Sequence, residues 1–254
     1  WSVLAFPRVI QGLPDDLVSR PPARLGEVGW LVDGAIVNRD TVAYQERLVL
    51  MHQFGIIDLL RGMEAQRPVR IIEIGGGYGG LGYFLGQIFE NIHYVICDLP
   101  VSLFFSATYL SEVAGHENVA IYDGSNPEVL KPGEGARYVC LPNHLFDHLS
   151  GQSFDLGINT MSFFEMPEDV VHHYAKGLKS LLNPEGMLFE QNYFYLEPDA
   201  PQTWCDPRPI IQKYFLHKLG IDRHSCWGIP NLWFNHIPVE LLAASNLPFL
   251  KSRQ

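Results

Sequence analysis

Five glycines fall within six residues, Gly75, Gly76, Gly77, Gly79 and Gly80, between an apolar run at 69–74 and a segment whose Leu81, Phe84, Leu85 and Ile88 recur at helical spacing. Such a cluster at a strand-to-helix junction narrows the choice of folds. Residues without Cβ let the backbone turn tightly and approach a ligand, and the free N–H groups at the start of a helix hold anionic groups.

The surrounding chain supplies the rest of an alternating pattern. Residues 93–97 read as a second strand, ended by Asp98-Leu99-Pro100, and a helix follows over 101–114. That βαβ unit implies a parallel sheet with a right-handed crossover. Residues 119–122 and 137–141 both read as strands, and the later one is favoured as the third main strand because it fits the spacing to a fourth at 154–159. Pro167 suits the first turn of a helix carrying Val171, Tyr174, Leu178 and Leu181, with Pro184 and Gly186 as its stop and a fifth strand over 187–194. Upstream, Leu50, Phe54, Ile57 and Leu60 predict a helix over 41–61 with Gly62 ending it, a helical preface to the sheet. The first forty residues, with Pro7, Pro14, Pro21 and Pro22, predict surface loops and short helical turns. Past residue 194 the periodicity fades into a Pro-, Trp- and His-rich stretch. The expected organisation is α/β: a doubly wound, mostly parallel sheet, with a preface at 1–66, a core at 67–200 and an irregular C-terminal cover at 201–254 belonging to the same domain.

Gly75, Gly77 and Gly80 also satisfy the dinucleotide pattern G-x-G-x-x-G, so the glycines alone leave a nicotinamide cofactor and another nucleoside cofactor open. Two acidic residues bear on the choice. Glu73 ends the first strand, where its charge disfavours a pyrophosphate and suits a cationic cofactor. Asp98 ends the second strand, placed to accept from two ribose hydroxyls, which both cofactor classes require.

On these residues the sequence resembles the class I S-adenosylmethionine-dependent methyltransferases, whose first motif, acidic-x-Gly-x-Gly-x-Gly, is met by Glu73, Gly75, Gly77 and Gly79, and whose acidic ribose ligand is matched by Asp98. More narrowly, EIGGGYGGLGYFL, CDLP, NTMSFFEM and QNYF look like the sugar O-methyltransferases associated with bacterial surface polysaccharides and nodulation-type glycans. The resemblance covers roughly residues 70 to 195. It implies a Rossmann-like fold, S-adenosylmethionine as cofactor and a small-molecule or glycan acceptor. It places Glu73, Gly75, Gly76, Gly77, Tyr78, Gly79, Asp98, Leu99, Asn143 and Asn159 at the cofactor; Asn143 reads as an adenine-edge residue or an ordinary turn residue, and Tyr78 as a cover for the methionine portion or ordinary aromatic packing. The enzyme alternative is a nicotinamide-dependent oxidoreductase; the non-enzyme alternative is a methyltransferase-like binding protein without turnover.

Charge and composition exclude other classes. Eighteen Lys plus Arg against 28 Asp plus Glu give a formal charge of -10, which opposes nucleic-acid binding. With 47% hydrophobic and 18% charged residues the chain is no disordered segment, and no apolar stretch is long enough to span a bilayer. Beginning at Trp1 without Met, it reads as a trimmed chain, with a missing leader left open; the protein is expected to be soluble and cytoplasmic, and the sequence leaves its oligomeric state open. Cys97, Cys140, Cys205 and Cys226 form no C-x-x-C pair and read as reduced, buried thiols. The adjacent His172 and His173 point in different directions on a helix and read as solvated, and no metal is expected.

Methyl transfer to a hydroxyl asks for positioning and for a base that removes the proton. Open α/β folds bind ligands at the carboxyl ends of their strands, which selects residues 159–165 and 192–193. The catalytic candidates are Glu165, Asn159 and Asn192. In the plant small-molecule O-methyltransferases, by contrast, a catalytic His stands at about this distance past the fourth strand. Here Phe164 occupies the nearest position and Glu165 follows. Desolvation between Phe163, Phe164 and Met166 predicts a raised Glu165 pKa. Trp204, Trp227, Trp233 and Phe234 read as an apolar cover or an oligomer contact, with a sugar-stacking wall as the alternative.

Overall fold

The computed structural model describes residues 2–25, 28–32, 34–133, 135–193, 204–220 and 228–236. Along the chain these residues form α1 (Ser2–Val9), β1 (Trp30–Val32), β2 (Ala35–Val37), α2 (Arg39–Gln53), α3 (Ile56–Glu64), β3 (Val69–Ile74), α4 (Gly80–Ile88), β4 (Ile92–Asp98) and α5 (Pro100–Ala114). Then come β5 (Val119–Ile121), β6 (Tyr138–Pro142), β7 (Phe154–Thr160), α6 (Glu168–Leu181), β8 (Leu182–Asn192), α7 (Arg208–Ile211), β9 (His217–Gly220) and β10 (Ile229–Phe234). Apart from the β1–β2 hairpin the strands make a mixed, mostly parallel sheet, and helices alternate with the parallel strands as the sequence predicts.

The chain divides into two compact units. The first comprises Trp1–Val69 and Gly76–Pro142. Its strands run β5-β6-β4, all parallel. Tyr94, Val95, Ile96, Tyr138, Val139 and Cys140 are fully or almost fully buried, which is why these strands read as continuous apolar runs rather than alternating ones. The helical preface is two helices, not one. Gly55 adopts φ 76 between α2 and α3, a left-handed turn that glycine takes without strain, and its N–H bonds to the His52 carbonyl. Gly62, read from sequence as the stop, lies inside α3. The Asn38 side chain caps α2 by accepting from Thr41 N–H, and Gln45 holds the preceding loop by accepting from Ser19 N–H and donating to Leu17 C=O.

The second unit comprises Arg70–Gly75 and Asn143–Gln254. Its strand order is β3-β7-β8-β10-β9, with β3, β7 and β8 parallel and β10 and β9 antiparallel. The stretch read as irregular cover therefore contributes two strands. Pro184 and Gly186 do follow α6, yet they fall within β8. Partners on β8 jump from Leu182 to Met187 while β7 advances only from Phe154 to Leu156, so both sit in an irregularity that leaves the ladder intact on either side. Phe194, expected in the fifth strand, lies outside the described residues, as do Cys226 and Trp227. Buried Asp155 ties strand starts together, accepting from Arg70 N–H at 2.9 Å and from Asn183 Nδ2 at 2.7 Å.

Candidate functional site

Within the first unit the glycine turn is held at a single peptide. Gly77 N–H donates to Asp98 Oδ2 at 2.8 Å, and Ser106 Oγ on α5 donates to Gly77 C=O at 2.6 Å. Asp98 Oδ1 meanwhile accepts from Leu99 N–H at 2.7 Å. Each carboxylate oxygen is thus used once and keeps a further lone-pair direction free of these bonds. Gly77 has φ 57, and a Cβ built there meets no atom within 4 Å, so the turn borders open space. Gly79 (φ 85) opens α4, where a Cβ would come within 2.9 Å of Leu110. Tyr78 packs edge-on against Tyr44 and Tyr109, with ring centroids 5.8 and 4.9 Å away. Leu99 is exposed. Sequence reasoning missed Ser106, one of several hydroxyl residues on α5 and distinguished only by its burial beside the glycine turn. A cavity of 410 Å³ in this unit is lined by Tyr78, Phe104, Phe105 and Tyr109, with Arg24 and Asp40 among its polar residues.

In the second unit Glu73 is buried at the end of β3 and Gly75 follows with φ 76. A Cβ on Gly75 would come within 2.2 Å of Ser162 Oγ, so glycine is required there on two grounds, backbone and space. Past β7 the chain leaves the sheet through Met161, a non-glycine residue at φ 58, whose N–H bonds to Gln191 C=O. Three successive N–H groups then point back at two asparagines. Ser162 N–H (3.1 Å) and Phe164 N–H (3.4 Å) donate to Asn192 Oδ1, and Phe163 N–H (3.3 Å) donates to Asn159 Oδ1. Asn159 Nδ2 donates to Ile74 C=O and Ser162 Oγ, at 2.9 and 2.6 Å. Asn192 Nδ2 donates to Asn159 Oδ1 and Glu190 Oε1, at 2.8 and 2.9 Å.

Asn159 and Asn192, expected to act on the ligands, are therefore buried, and their amides are committed to the chain itself. Glu165 sits on the short turn Phe163–Glu165 that this network anchors. Its side chain is exposed, and partial burial raises its pKa, in the direction expected from its apolar neighbours. Asn143 stands half-buried at the first residue of the turn Asn143–Leu149. His173 is exposed as expected, but His172 is half-buried with Nδ1 2.8 Å from the Tyr214 hydroxyl. Trp233 and Phe234 belong to β10 and are core residues, as their apolar reading requires, and Trp204 packs edge-on against Phe164.

Glu190 escaped the sequence reading altogether. It is fully buried on β8 opposite Asn159 and Asn231, accepting from Asn192 Nδ2 on Oε1 and from Asn231 Nδ2 on Oε2, both at 2.9 Å. Burial pushes its carboxyl up to about 7, against the lowering effects of those hydrogen bonds and of the Arg208 charge. Arg208 is paired through its guanidinium with Asp206. Among the described residues no cluster of His, Cys, Asp and Glu is arranged to hold a metal ion, and no helix is long and apolar enough to cross a membrane.

No family model and no curated protein matches the sequence. Solved structures do. A candidate O-methyltransferase from Nostoc punctiforme PCC 73102 superposes with a TM-score of 0.51 at 13% identity, over 92% of this chain and 71% of that one. A methyltransferase from Pyrococcus furiosus gives 0.51 at 11% identity, over 93% and 97%. The mitomycin 7-O-methyltransferase MmcR gives 0.45 at 12% identity, and this chain spans 56% of its length. The fold is that of the class I methyltransferases.

Proposed function

We propose that the protein is an S-adenosylmethionine-dependent O-methyltransferase acting on a sugar hydroxyl of a glycan or surface-polysaccharide precursor. The observation that carries this reading is the Gly77 peptide, fixed at its N–H by Asp98 and at its C=O by Ser106 beside open space. An acidic strand end braced against a glycine turn is a nucleoside cradle, and the residues fit the cofactor. Asp98 has acceptor directions left for two ribose hydroxyls, Gly76 to Gly79 let the backbone approach, and Leu99 offers an exposed apolar face. Tyr78, Asn143, Asn159, Glu73 and Gly75 keep the roles the resemblance gave them, with Asn159 acting through backbone it holds rather than through a free amide. When bound, the cofactor supplies an electrophilic methyl group on a sulfonium. Glu165 takes up the proton of the acceptor hydroxyl, a role suited to a carboxylate with a raised pKa on an anchored turn. The cavity beside Tyr78 supports a sugar acceptor, since aromatic walls stack on the C–H faces of a pyranose while Asp40 and Arg24 suit its hydroxyls. We assign the protein to the cytoplasm, in keeping with the free thiols of Cys97, Cys140 and Cys205.

Calorimetric titration with S-adenosylmethionine, S-adenosylhomocysteine and NAD tests the cofactor, and methyl transfer from labelled cofactor to a panel of nucleotide sugars and oligosaccharides tests the reaction. Heat with both adenosyl ligands, together with label in a glycan, supports the proposal. Heat with NAD alone makes the protein an oxidoreductase, and adenosyl binding with no label in any acceptor makes it a binding protein.

A further inference from the structure

A buried carboxylate on a central strand needs a reason, and the partners of Glu190 supply one. Asn192 cannot turn its amide over, because its Oδ1 receives the backbone N–H groups of Ser162 and Phe164, which can only donate. Its Nδ2 must therefore face Glu190. Asn231 is fixed in the same sense, since its Nδ2 also donates to Ile229 C=O at 3.2 Å and a flipped amide would set oxygen against oxygen. Two fixed donors thus converge on position 190, and the side chain between them must accept on both of its ends. Of the residues of this size and shape, glutamate does so and glutamine does not.

We propose that Glu190 is a positioning residue for the turn bearing Glu165: by accepting from both asparagines it sets the Asn192 amide, which in turn holds the 162–164 backbone in register. The importance of that turn rests on the methyltransferase reading; the linkage of Glu190 to it does not.

The test is hydrogen exchange, above pH ~8 where the Glu190 carboxyl is ionised, at the Ser162 and Phe164 amides in Glu190→Gln, alone and combined with Asn231→Asp. The single change keeps size but turns an N–H donor toward one asparagine, so exchange at both amides should quicken at least ~10-fold while β4 and β6 amides keep their protection. The second change converts the opposing donor into an acceptor but forfeits the bond to Ile229 C=O, so exchange in the double variant should slow at least about threefold from that of the single variant without reaching the parent's. A residue that merely fills space would show neither effect, because all these side chains are nearly isosteric. Parental exchange in the single variant overturns the proposal. If the single variant does not fold, the double variant decides: recovery of the fold supports the linkage, and failure equal to that of the single variant overturns it. Titration of the same proteins with S-adenosylhomocysteine keeps the two readings apart. A parent that gives no heat overturns the methyltransferase reading, and exchange still judges Glu190.

Discussion

Replacing Asp98 with alanine separates a cofactor ligand from a helix cap. The carboxylate makes two backbone hydrogen bonds, to Gly77 N–H at 2.8 Å and to Leu99 N–H at 2.7 Å. Both N–H groups lie in exposed residues, so water replaces the lost partner, and each bond contributes only about 0.5–1.5 kcal/mol net. The folded state then loses about 1–3 kcal/mol, within the roughly 5–15 kcal/mol of an ordinary domain. Binding suffers differently: charge-assisted bonds to ribose hydroxyls are worth about 1.5–3 kcal/mol, so the Kd for S-adenosylhomocysteine should rise roughly ten- to hundredfold. Asp98→Asn should fall between parent and alanine, since one amide oxygen cannot serve both N–H groups while the NH₂ faces one of them. Calorimetric titration measures the affinity, and urea unfolding of the same proteins measures the stability. An unchanged Kd in a folded Asp98→Ala protein would refute the reasoning, leaving Asp98 a brace for the turn and nothing more.

Gly75→Ala should cost about 2–4 kcal/mol in thermal unfolding, part from left-handed backbone strain and part from a Cβ 2.2 Å from Ser162 Oγ. Adding Ser162→Gly should recover the steric part; no recovery would mean that the clash is relieved elsewhere. Because the Glu190 carboxyl is raised to about 7 from an ordinary 4.5, the folded state holds a proton that the unfolded chain releases. Its contribution is present below pH ~4.5 and lost as pH rises through about 7, by up to about 3 kcal/mol, so urea midpoints should fall over that window less steeply in Glu190→Leu than in the parent. Glu165→Gln should lower turnover roughly 10²- to 10⁴-fold with cofactor affinity little changed; turnover within a few-fold of the parent would remove Glu165 as the base.

The parallel strands were legible because burial on both faces leaves continuous apolar runs, and the glycine turn because only missing Cβ atoms satisfy its backbone. Gly55 shows the limit of such reading. Apolar spacing continues across it, so periodicity alone joined α2 to α3, and only the backbone angle separates them. The strands β9 and β10 were illegible for another reason: β10 finds its register against β8, about forty residues away in sequence, and local pattern carries no information about that pairing. Glu190 did leave a trace, a carboxylate directly after the apolar run Met187-Leu188-Phe189 and on the same strand face as Asn192, two residues on.

Asn159 and Asn192 show why a correctly placed residue can still carry a different task from the one expected. Both stand at the carboxyl ends of strands, where ligands bind, and an amide there suits a substrate as well as it suits backbone. What decides between the two is the chain that follows. Met161 takes a left-handed conformation and turns the next three N–H groups inward, away from any strand or helix partner. Buried donors without acceptors are costly, so side chains must supply them. Aspartate could accept those N–H groups, but it could not also donate to Ile74 C=O as Asn159 does, nor to the Glu190 carboxylate as Asn192 does. Each position needs an oxygen on one side and an N–H on the other. Asparagine is the residue of that size that provides both, and its presence at these strand ends follows from the geometry of the turn before any ligand is considered.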